Sequence, residues 1–202
     1  MRDTINFLLA GVGGQGTVLA SDVLVNVGMA AGLQAKQAEV HGMSQRGGSV
    51  ISHVRWGKVV YSPLVGAGEV DVLLAFEKVE ALRRLDQLRS GAVALVNMQS
   101  IEPITVTSGG QVYPDDDRLR STISQVTRAA TFIDGGAIAE RLGNIRAANV
   151  VLLGALSELL ERAGWQWVGL TPDVWLEAII ERVPAKYVDL NRAAFGEGRL
   201  SV

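Results

Sequence analysis

The glycines that follow the first apolar segment constrain the fold more than any other feature of this sequence. Residues 5–10 form a short apolar run, which predicts a buried strand. Residues 11–16 follow directly as Gly-Val-Gly-Gly-Gln-Gly, and apolar residues then recur at helical spacing up to Ala31. A strand, a glycine-rich turn and a helix in this order aim backbone N–H groups at the helix N-terminus, where an anion can bind. The sequence therefore predicts an α/β fold with an anion-binding turn.

Within this turn, Gly11, Gly13 and Gly16 match the G-x-G-x-x-G pattern of dinucleotide-binding folds. Glu39 lies near the end of the second predicted strand, where an acidic side chain can hold a ribose hydroxyl. Two interpretations stay open at this point: a site for NAD or FAD, and a close strand-to-helix turn that holds another anion or none. A P-loop is excluded, because Gly16 is followed by Thr17 and not by lysine.

Apolar runs and helical patterns alternate along the rest of the chain. Later strands are predicted at 33–40, 49–56, 70–76, 92–97 and 131–133, and later helices at 77–89, 115–128, 136–142, 149–163 and 172–182. This order predicts one α/β domain over residues 1–202, a three-layer α/β/α Rossmann-like domain with a helical C-terminal part from about residue 136.

Two glycine pairs predict β-hairpins, so we expect a mixed sheet. Gly57-Lys58 would join the strand 49–56 to a strand at 59–61, and Gly109-Gly110 would join 104–107 to 111–113. Residues 186–202 show little periodicity, so no element is predicted there.

Composition excludes several functions. The 202 residues contain no cysteine and two histidines, so a cysteine-ligated iron–sulfur cluster, a thiolate nucleophile and a histidine-rich metal site are excluded. Lys and Arg number 19 against 21 Asp and Glu, and this balance predicts no nucleic-acid partner. No apolar run approaches a membrane span and no signal peptide is evident, which predicts a cytoplasmic protein without membrane contact. No nucleophile has a base beside it, so no catalytic residue is assigned.

A second polar segment, residues 41–49, precedes the third predicted strand and reads His-Gly-Met-Ser-Gln-Arg-Gly-Gly-Ser. Gly47 and Gly48 permit the left-handed backbone of an anion-binding nest, and Arg46 can bind a phosphate or carboxylate. His41 can transfer a proton. A surface loop with its own hydrogen bonds is the alternative. The complete set of candidate site residues is Gly11, Gly13, Gly14, Gln15, Gly16, His41, Ser44, Gln45, Arg46, Gly47 and Gly48.

Two further patterns are explained better by structure than by chemistry. The carboxylates of Glu77 and Glu80 lie three residues apart, which is the spacing of a metal-binding or acid–base pair. A helix cap and an ion pair between Glu80 and Arg83 account for them without such chemistry. Three tryptophans could line an aromatic-substrate pocket, but packing in a core or an interface is favoured for Trp165, Trp167 and Trp175.

Together, residues 11–16 and 41–50 resemble the gamma-type domain of the 2-oxoacid:ferredoxin oxidoreductases. Within that family the similarity is greatest to the beta subunits of the indolepyruvate enzymes. The glycine-rich turn alone is weak evidence, whereas its combination with His-Gly-Met-Ser-Gln-Arg-Gly-Gly-Ser is specific. The resemblance covers most of the chain, with further matching segments at 52–55, 61–63, 71–77, 80–83, 143–144, 149–155 and 191–196.

The resemblance implies a subunit that carries no cofactor, in an enzyme that oxidatively decarboxylates arylpyruvates to aryl-acetyl-CoA and passes electrons to ferredoxin. It implies that thiamine diphosphate and the iron–sulfur clusters belong to a larger alpha subunit, that CoA is the co-substrate, and that this chain alone is inactive. The resemblance disfavours NAD but leaves the ligand of the turn open. We expect the adenine or pyrophosphate part of CoA there, because that group is anionic. A stand-alone NAD- or flavin-binding oxidoreductase and a regulatory nucleotide-binding module stay open as alternatives.

Overall fold

The structure, a computed structural model, describes residues 4–41, 48–110, 112–127, 129–164 and 170–202. Its centre is a six-stranded sheet with the spatial order β2-β3-β1-β4-β5-β6. The strands are β1 Thr4–Val12, β2 Gln34–His41, β3 Ser49–Gly57, β4 Val70–Ala75, β5 Leu88–Asn97 and β6 Ala129–Ile133.

The sheet is mixed, as predicted. Strands β1, β4, β5 and β6 run parallel, whereas β3 lies antiparallel between β1 and β2. The register pairs Val12 with Ser49, so the glycine-rich turn and the start of β3 lie at the same edge of the sheet. The carboxyl ends of the four parallel strands lie at that edge as well.

The hairpin is formed by β2 and β3, so its predicted position after Gly57 was wrong. Residues 59–61 form no strand, because β1 and β2 already occupy both edges of β3. The segment after β3 instead crosses the sheet, where Arg55 Nη1 donates hydrogen bonds to the carbonyls of Ser62 and Leu64.

Helices cover both faces of the sheet and complete three layers. One face shares a hydrophobic core with α1, α5, α6, α7 and α8, of which α8 packs on the other helices, mainly α6. The other face packs against α2 and α4. The α-helices are α1 Thr17–Ala30, α2 Lys78–Leu82, α3 Ile104–Thr107, α4 Asp116–Val126, α5 Gly135–Arg141, α6 Ala148–Arg162, α7 Pro172–Ile180 and α8 Val188–Leu200. Short 3₁₀ turns occur at Leu85–Gln87, Ile145–Ala147 and Ala185–Tyr187.

Three helical segments differ from the sequence predictions. The helix at 77–89 ends at Leu82, because Leu88 pairs with Val70 and begins β5. The predicted hairpin at 104–113 was replaced by the short helix α3. The C-terminal residues form α8, which the apolar pattern missed because glycines make its closest contacts with α6.

Candidate functional site

The glycine-rich turn places β1 close to α1. Gly14 and Gly16 adopt left-handed backbone angles, with φ of 106° and 81°. At Gly11, a Cβ atom would lie 2.9 Å from the Thr17 methyl group and 3.0 Å from Phe76 Cβ. These glycines therefore meet two different needs, because Gly14 and Gly16 permit the turn and Gly11 permits close packing.

Gln15 ties this turn to the ends of β1 and β4. Its Oε1 atom accepts a hydrogen bond from Val12 N at 2.7 Å, and its Nε2 atom donates to the Phe76 carbonyl at 2.8 Å. The same Nε2 donates to Gln99 Oε1 at 2.9 Å. With both ends of the side-chain amide used, Gln15 fixes the turn rather than offering groups to a ligand.

The polar segment predicted before β3 meets the glycine-rich turn. Gly13 N donates a hydrogen bond to the Gly48 carbonyl at 3.0 Å, which joins the two predicted motifs directly. His41 ends β2, so its backbone also lies at this edge of the sheet. Ser44, Gln45, Arg46 and Gly47 lie outside the described residues, so their predicted roles stay predictions.

A cleft of about 500 Å³ opens at the carboxyl ends of β1, β4 and β5. In open α/β sheets, ligands bind at this edge, where neighbouring strands connect to helices in opposite directions. The described residues that line the cleft come from the turn, from the strand ends and from the start of α6: Gly13, Gly14, Gln15, Gly16, Phe76, Asn97, Gln99, Ile101, Ile145, Arg146, Ala148, Asn149 and Leu152.

Two long helices point their N-termini at this cleft. Helix α1 begins after Gly16, and no side chain caps its first N–H groups. Helix α6 begins after Ala147, where Ala148 N donates to the Ile145 carbonyl and Val150 N donates to Asn149 Oδ1 at 2.9 Å. Arg146 lines the same cleft and has an exposed side chain. The uncapped N–H groups of α1, the positive end of the α6 dipole and the Arg146 guanidinium therefore favour an anion such as a phosphate.

Asn97 supports the floor of the cleft from within the sheet. Its side chain is buried, with Nδ2 donating to the Phe76 carbonyl at 3.0 Å and Oδ1 accepting from Gly135 N at 3.0 Å. Asn97 thereby joins the end of β4 to the start of α5. It belongs to the scaffold of the site.

The structure places Glu39 beside the turn but not where a nicotinamide enzyme needs it. Glu39 lines a second depression of about 400 Å³ together with Gly14, Thr17 and Val50. The antiparallel strand β3 lies between β1 and β2, so Glu39 is one strand further from Gly11 than in a sheet where β2 neighbours β1. This insertion argues against the dinucleotide interpretation.

The structural interpretation of the paired carboxylates is confirmed. Glu77 accepts hydrogen bonds from Val79 N and Glu80 N at 2.8 and 2.9 Å and so caps α2. Glu80 forms an ion pair with Arg83 at 2.5 Å. Burial and the hydrogen bond to Glu77 raise the pKa of Tyr113 well above its usual value, which keeps this phenol protonated.

Trp175 is buried against Trp56, with ring centroids 6.3 Å apart, and belongs to the core as predicted. Trp165 and Trp167 lie outside the described residues. Over the described ranges, no group of three His, Asp or Glu side chains is placed to hold a metal ion. No helix in those ranges is long and apolar enough to cross a membrane.

Sequence reasoning missed several residues of the cleft, Arg146 and Asn149 above all. Residues 143–144 and 149–155 matched the family in the sequence, but no role was assigned to them. Asn97 and Gln99 carried a usable signal, because polar residues directly after a buried strand lie at the ligand-binding edge of a parallel sheet.

A family profile described as pyruvate ferredoxin/flavodoxin oxidoreductase matches residues 6–201. The chain belongs to this family. It is 39% identical over 194 residues to indolepyruvate oxidoreductase subunit IorB of Thermococcus kodakarensis, which covers 96% of this chain and 93% of that protein.

Solved structures agree with this assignment. A keto/oxoacid ferredoxin oxidoreductase gamma subunit from Geobacter sulfurreducens superposes with a TM-score of 0.69 at 25% identity, covering 98% of this chain and 97% of that one. The 2-oxoglutarate:ferredoxin oxidoreductase of Magnetococcus marinus superposes with a TM-score of 0.71 at 20% identity and shows the same fold. The superposition covers 99% of this chain and 31% of that one. That enzyme was solved with 2-oxoglutarate, coenzyme A and succinyl-CoA bound.

The family resemblance and the α/β/α fold predicted from the sequence are thus confirmed. The chain is an oxidoreductase subunit of the 2-oxoacid:ferredoxin class and has partner subunits. The alternative of a stand-alone NAD- or flavin-binding enzyme is not favoured by these relatives.

Proposed function

We propose that this chain is the subunit without cofactors of an indolepyruvate:ferredoxin oxidoreductase. The complex would oxidatively decarboxylate arylpyruvates to aryl-acetyl-CoA and pass the electrons to ferredoxin. The identity of 39% to an indolepyruvate oxidoreductase subunit over nearly the whole chain supports this substrate class. In this proposal residues 1–202 are a single gamma-type domain, whose helical part begins near residue 136, and the complex is cytoplasmic.

The part of the reaction that we assign to this chain is the binding of an anionic group of CoA. One observation carries this assignment: the uncapped N-terminus of α1, the positive end of the α6 dipole and the guanidinium of Arg146 converge on one cleft beside the glycine-rich turn. A pyrophosphate has the charge and the acceptor oxygens that such a cleft binds. Gly14 and Gly16 leave their backbone accessible to it, whereas Gly13 N is already hydrogen-bonded to the Gly48 carbonyl. Gln15 holds the conformation of the turn.

The redox chemistry is assigned to a larger partner subunit. This chain contains no cysteine, so its residues do not fit an iron–sulfur cluster held by thiolates. Thiamine diphosphate, when bound on the partner subunit, supplies the decarboxylation chemistry. The residues of this chain bind and orient CoA, and no catalytic residue is assigned to it.

The segment 41–48 is proposed as the second part of the same site. The hydrogen bond that its last residue, Gly48, accepts from Gly13 N supports this proposal. Arg46 would contact either the anion or the larger subunit, assisted by His41, Ser44, Gln45 and Gly47. Losing a desolvated, charge-paired arginine contact costs about 2–5 kcal/mol, and lysine at this position would rescue poorly if the contact is bidentate.

The test is a steady-state assay of the complex reconstituted with the larger subunit, with methyl viologen as electron acceptor and CoA varied. We expect Arg146→Ala and Arg46→Ala each to raise the KM for CoA at least about tenfold, because a charge-assisted contact is worth about 1.5–3 kcal/mol. Arg162→Ala is the matched control, since Arg162 lies at the opposite end of α6 and pairs only with Glu158 in the described chain.

The control variant should leave the KM for CoA unchanged. The purified chain alone should turn over no 2-oxoacid, and the complex should prefer indolepyruvate to pyruvate and 2-oxoglutarate. An unchanged KM in both Arg146→Ala and Arg46→Ala would refute the assignment of CoA binding to this chain. Turnover by the chain alone would refute its role as a subunit without cofactors.

A further inference from the structure

The outer end of the sheet, formed by β2 and β3, has a helix packed on one of its faces in the described chain. Helix α1 packs on these two strands from that face. On the other face, α2 and α4 pack mainly on β1, β4, β5 and β6, and the segment after β3, residues 58–69, lies over β2 and β3 instead. This end of the sheet therefore presents strand residues and a loop to solvent.

A pair of like charges lies on this face. Lys36 in β2 stands directly opposite Arg55 in β3, and directly opposite side chains lie on the same face of a sheet. Within the described ranges neither cation forms an ion pair with a carboxylate. Like charges in direct opposition destabilise an antiparallel pair, so an anion that approaches this pair from outside is favoured.

The positive charge extends along the segment after β3. This segment contains one further cation, Lys58, which is exposed, and a single carboxylate, Glu69. The Glu69 carboxylate faces the Gly66 N–H, with 3.4 Å between Oε2 and N, and forms no ion pair in the described chain. Because the whole chain has a formal net charge of −2, the positive charge is a local property of this surface.

Apolar side chains lie beside these cations. In the segment after β3, Tyr61 is 91% exposed and Leu64 is 53% exposed. Val40 is 47% exposed and lies on the same face of β2 as Lys36, four residues away. Tyrosine and arginine are among the residues that contribute most to the affinity of protein interfaces. We call this surface the β2–β3 surface and define it by Lys36, Val40, Arg55, Lys58, Tyr61 and Leu64.

Hydrogen bonds from the strands hold the β2–β3 surface in place. Lys36 Nζ donates to the Tyr61 carbonyl at 3.4 Å. Arg55 Nη1 donates to the carbonyls of Ser62 and Leu64 at 3.3 and 3.2 Å. The segment is thus fixed before a partner binds, so docking orders few groups. The Lys36 ammonium has three N–H donors, and those that it does not use here can bind a carboxylate.

The charge of the β2–β3 surface indicates that its occupant is a different chain. Two copies of this chain joined through it would bring the Lys36 and Arg55 side chains of one copy against those of the other, which is unfavourable. The chain has partner subunits. A partner whose carboxylates surround an apolar centre complements both the charge and the apolar residues of this surface.

We propose that the β2–β3 surface docks an acidic, partly apolar surface of the larger subunit. Lys36 and Arg55 pair with carboxylates of that subunit, and Tyr61 is buried in the contact. The proposal rests on the proposed function only in taking the larger subunit as the partner. Arg55 pairs with Asn6 near the start of β1, whereas the cleft opens at the carboxyl end of this strand. Docking through these residues is therefore separate from CoA binding in the cleft.

The first test is acetylation of lysines in the free chain and in the complex with the larger subunit, measured by mass spectrometry. The chain contains four lysines, of which Lys78 is buried. We expect Lys36 and Lys58 to lose reactivity in the complex. Lys186 is the matched control, because it is exposed between α7 and α8 on the opposite face of the sheet and should lose less. Undiminished acetylation of Lys36 in the complex would overturn the proposal.

The second test is calorimetric titration of the larger subunit with variants of the chain. Lys36→Glu should weaken association at least about tenfold, because it brings a carboxylate against carboxylates. Tyr61→Ala should also weaken it at least about tenfold. Arg192→Glu is the matched control and should leave association unchanged, since Arg192 is exposed on α8 and forms no ion pair in the described chain.

Thermal unfolding of the free chain distinguishes a lost contact from a damaged fold. A glutamate at residue 36 would stand opposite Arg55 and replace repulsion by attraction. Lys36→Glu should therefore leave the unfolding temperature unchanged or raise it, while it weakens the complex. A lower unfolding temperature would contradict the uncompensated charge pair from which the proposal is argued.

The outcomes also separate this proposal from the proposed function. Unchanged affinity in both Lys36→Glu and Tyr61→Ala, or an equal loss in Arg192→Glu, overturns the docking surface and leaves the CoA assignment standing. A dimer of the free chain that Lys36→Glu abolishes would assign the surface to a second copy. If Lys36→Glu weakens assembly but Arg146→Ala leaves the KM for CoA unchanged in the saturated complex, the docking surface stands and the assignment of CoA to the cleft fails.

Discussion

Gly16 and Asn149 lie in direct contact, so the N-terminus of α1 rests on the second residue of α6. A Cβ atom at residue 16 would overlap the Asn149 amide and lie 3.4 Å from Asn149 Cβ. Two helices that are distant in sequence thus begin side by side at the cleft. The contact explains how the N-terminal ends of both helices can face one cleft, because only glycine lets them approach this closely.

Gly16→Ala should destabilise the protein more than Gly14→Ala. Both residues have positive φ, which costs about 1–2 kcal/mol for alanine. Only the Gly16 substitution also meets another residue, whereas a Cβ at Gly14 meets nothing within 4 Å. We expect an additional loss of about 1 kcal/mol for Gly16→Ala, measured by urea unfolding.

Asn149→Ala provides the double-mutant test of the same contact. If Asn149 causes the additional loss, Gly16→Ala should cost about 1 kcal/mol less in the Asn149→Ala background. Strictly additive effects of the two substitutions would show that the contact does not determine the glycine.

Gln15→Glu should destabilise the chain by about 2 kcal/mol at neutral pH. The carboxylate would replace an amide that donates to the Phe76 carbonyl and to Gln99 Oε1, so acceptors would face one another without a proton between them. Gln125→Glu, on the exposed side of α4, is the control and should change stability by no more than about 0.5 kcal/mol. Equal effects of the two substitutions in urea unfolding would contradict the structural role of Gln15.

The predictions from sequence succeeded where a local pattern determined the structure. The turn from Gly11 to Gly16 is local, because its glycines, the apolar strand before it and the helix after it are contiguous. The capping of α2 by Glu77 is local too. The spatial order of the strands depends on distant pairings, so the insertion of β3 between β1 and β2 was not evident from the sequence.

Helix α8 and the cleft residues were missed for physical reasons. Helix α8 contacts α6 through small residues, and apolar periodicity cannot detect a contact that glycines make. Arg146 and Asn149 reach the cleft only because Gly16 lets α6 start beside α1.

Gly154→Ala should destabilise the packing of α6 against α8 by about 1–3 kcal/mol. A Cβ at Gly154 would overlap the Phe195 carbonyl, and one at Gly198 would overlap the Val151 carbonyl, so backbone meets backbone at both positions. Helices cannot relieve such an overlap by turning a side chain, and one of them must move.

Gly196→Ala is the matched control for this helix pair. Gly196 lies in α8 as well, but a Cβ there meets nothing within 4 Å. Because alanine favours helix over glycine, Gly196→Ala should stabilise the chain by about 0.5–1 kcal/mol. Thermal and urea unfolding measure both variants, and a stabilising Gly154→Ala would contradict the close approach of α6 to α8.

His53 should make the protein less stable as the pH falls below 6.5. Burial, and next the nearby Arg84 guanidinium, lower the pKa of His53 below its ordinary value of 6.5. His53 Nδ1 also accepts a hydrogen bond from Val65 N, which requires that nitrogen to be unprotonated. Between the folded and unfolded pKa values the unfolded chain binds more protons, so the free energy of unfolding decreases as the pH decreases.

NMR titration should place the His53 pKa below 6.5, and Arg84→Met should raise this pKa only in part, since burial is the larger cause. A His53 pKa at or above 6.5, or stability that is independent of pH in this range, would contradict the burial of this ring beside Val65.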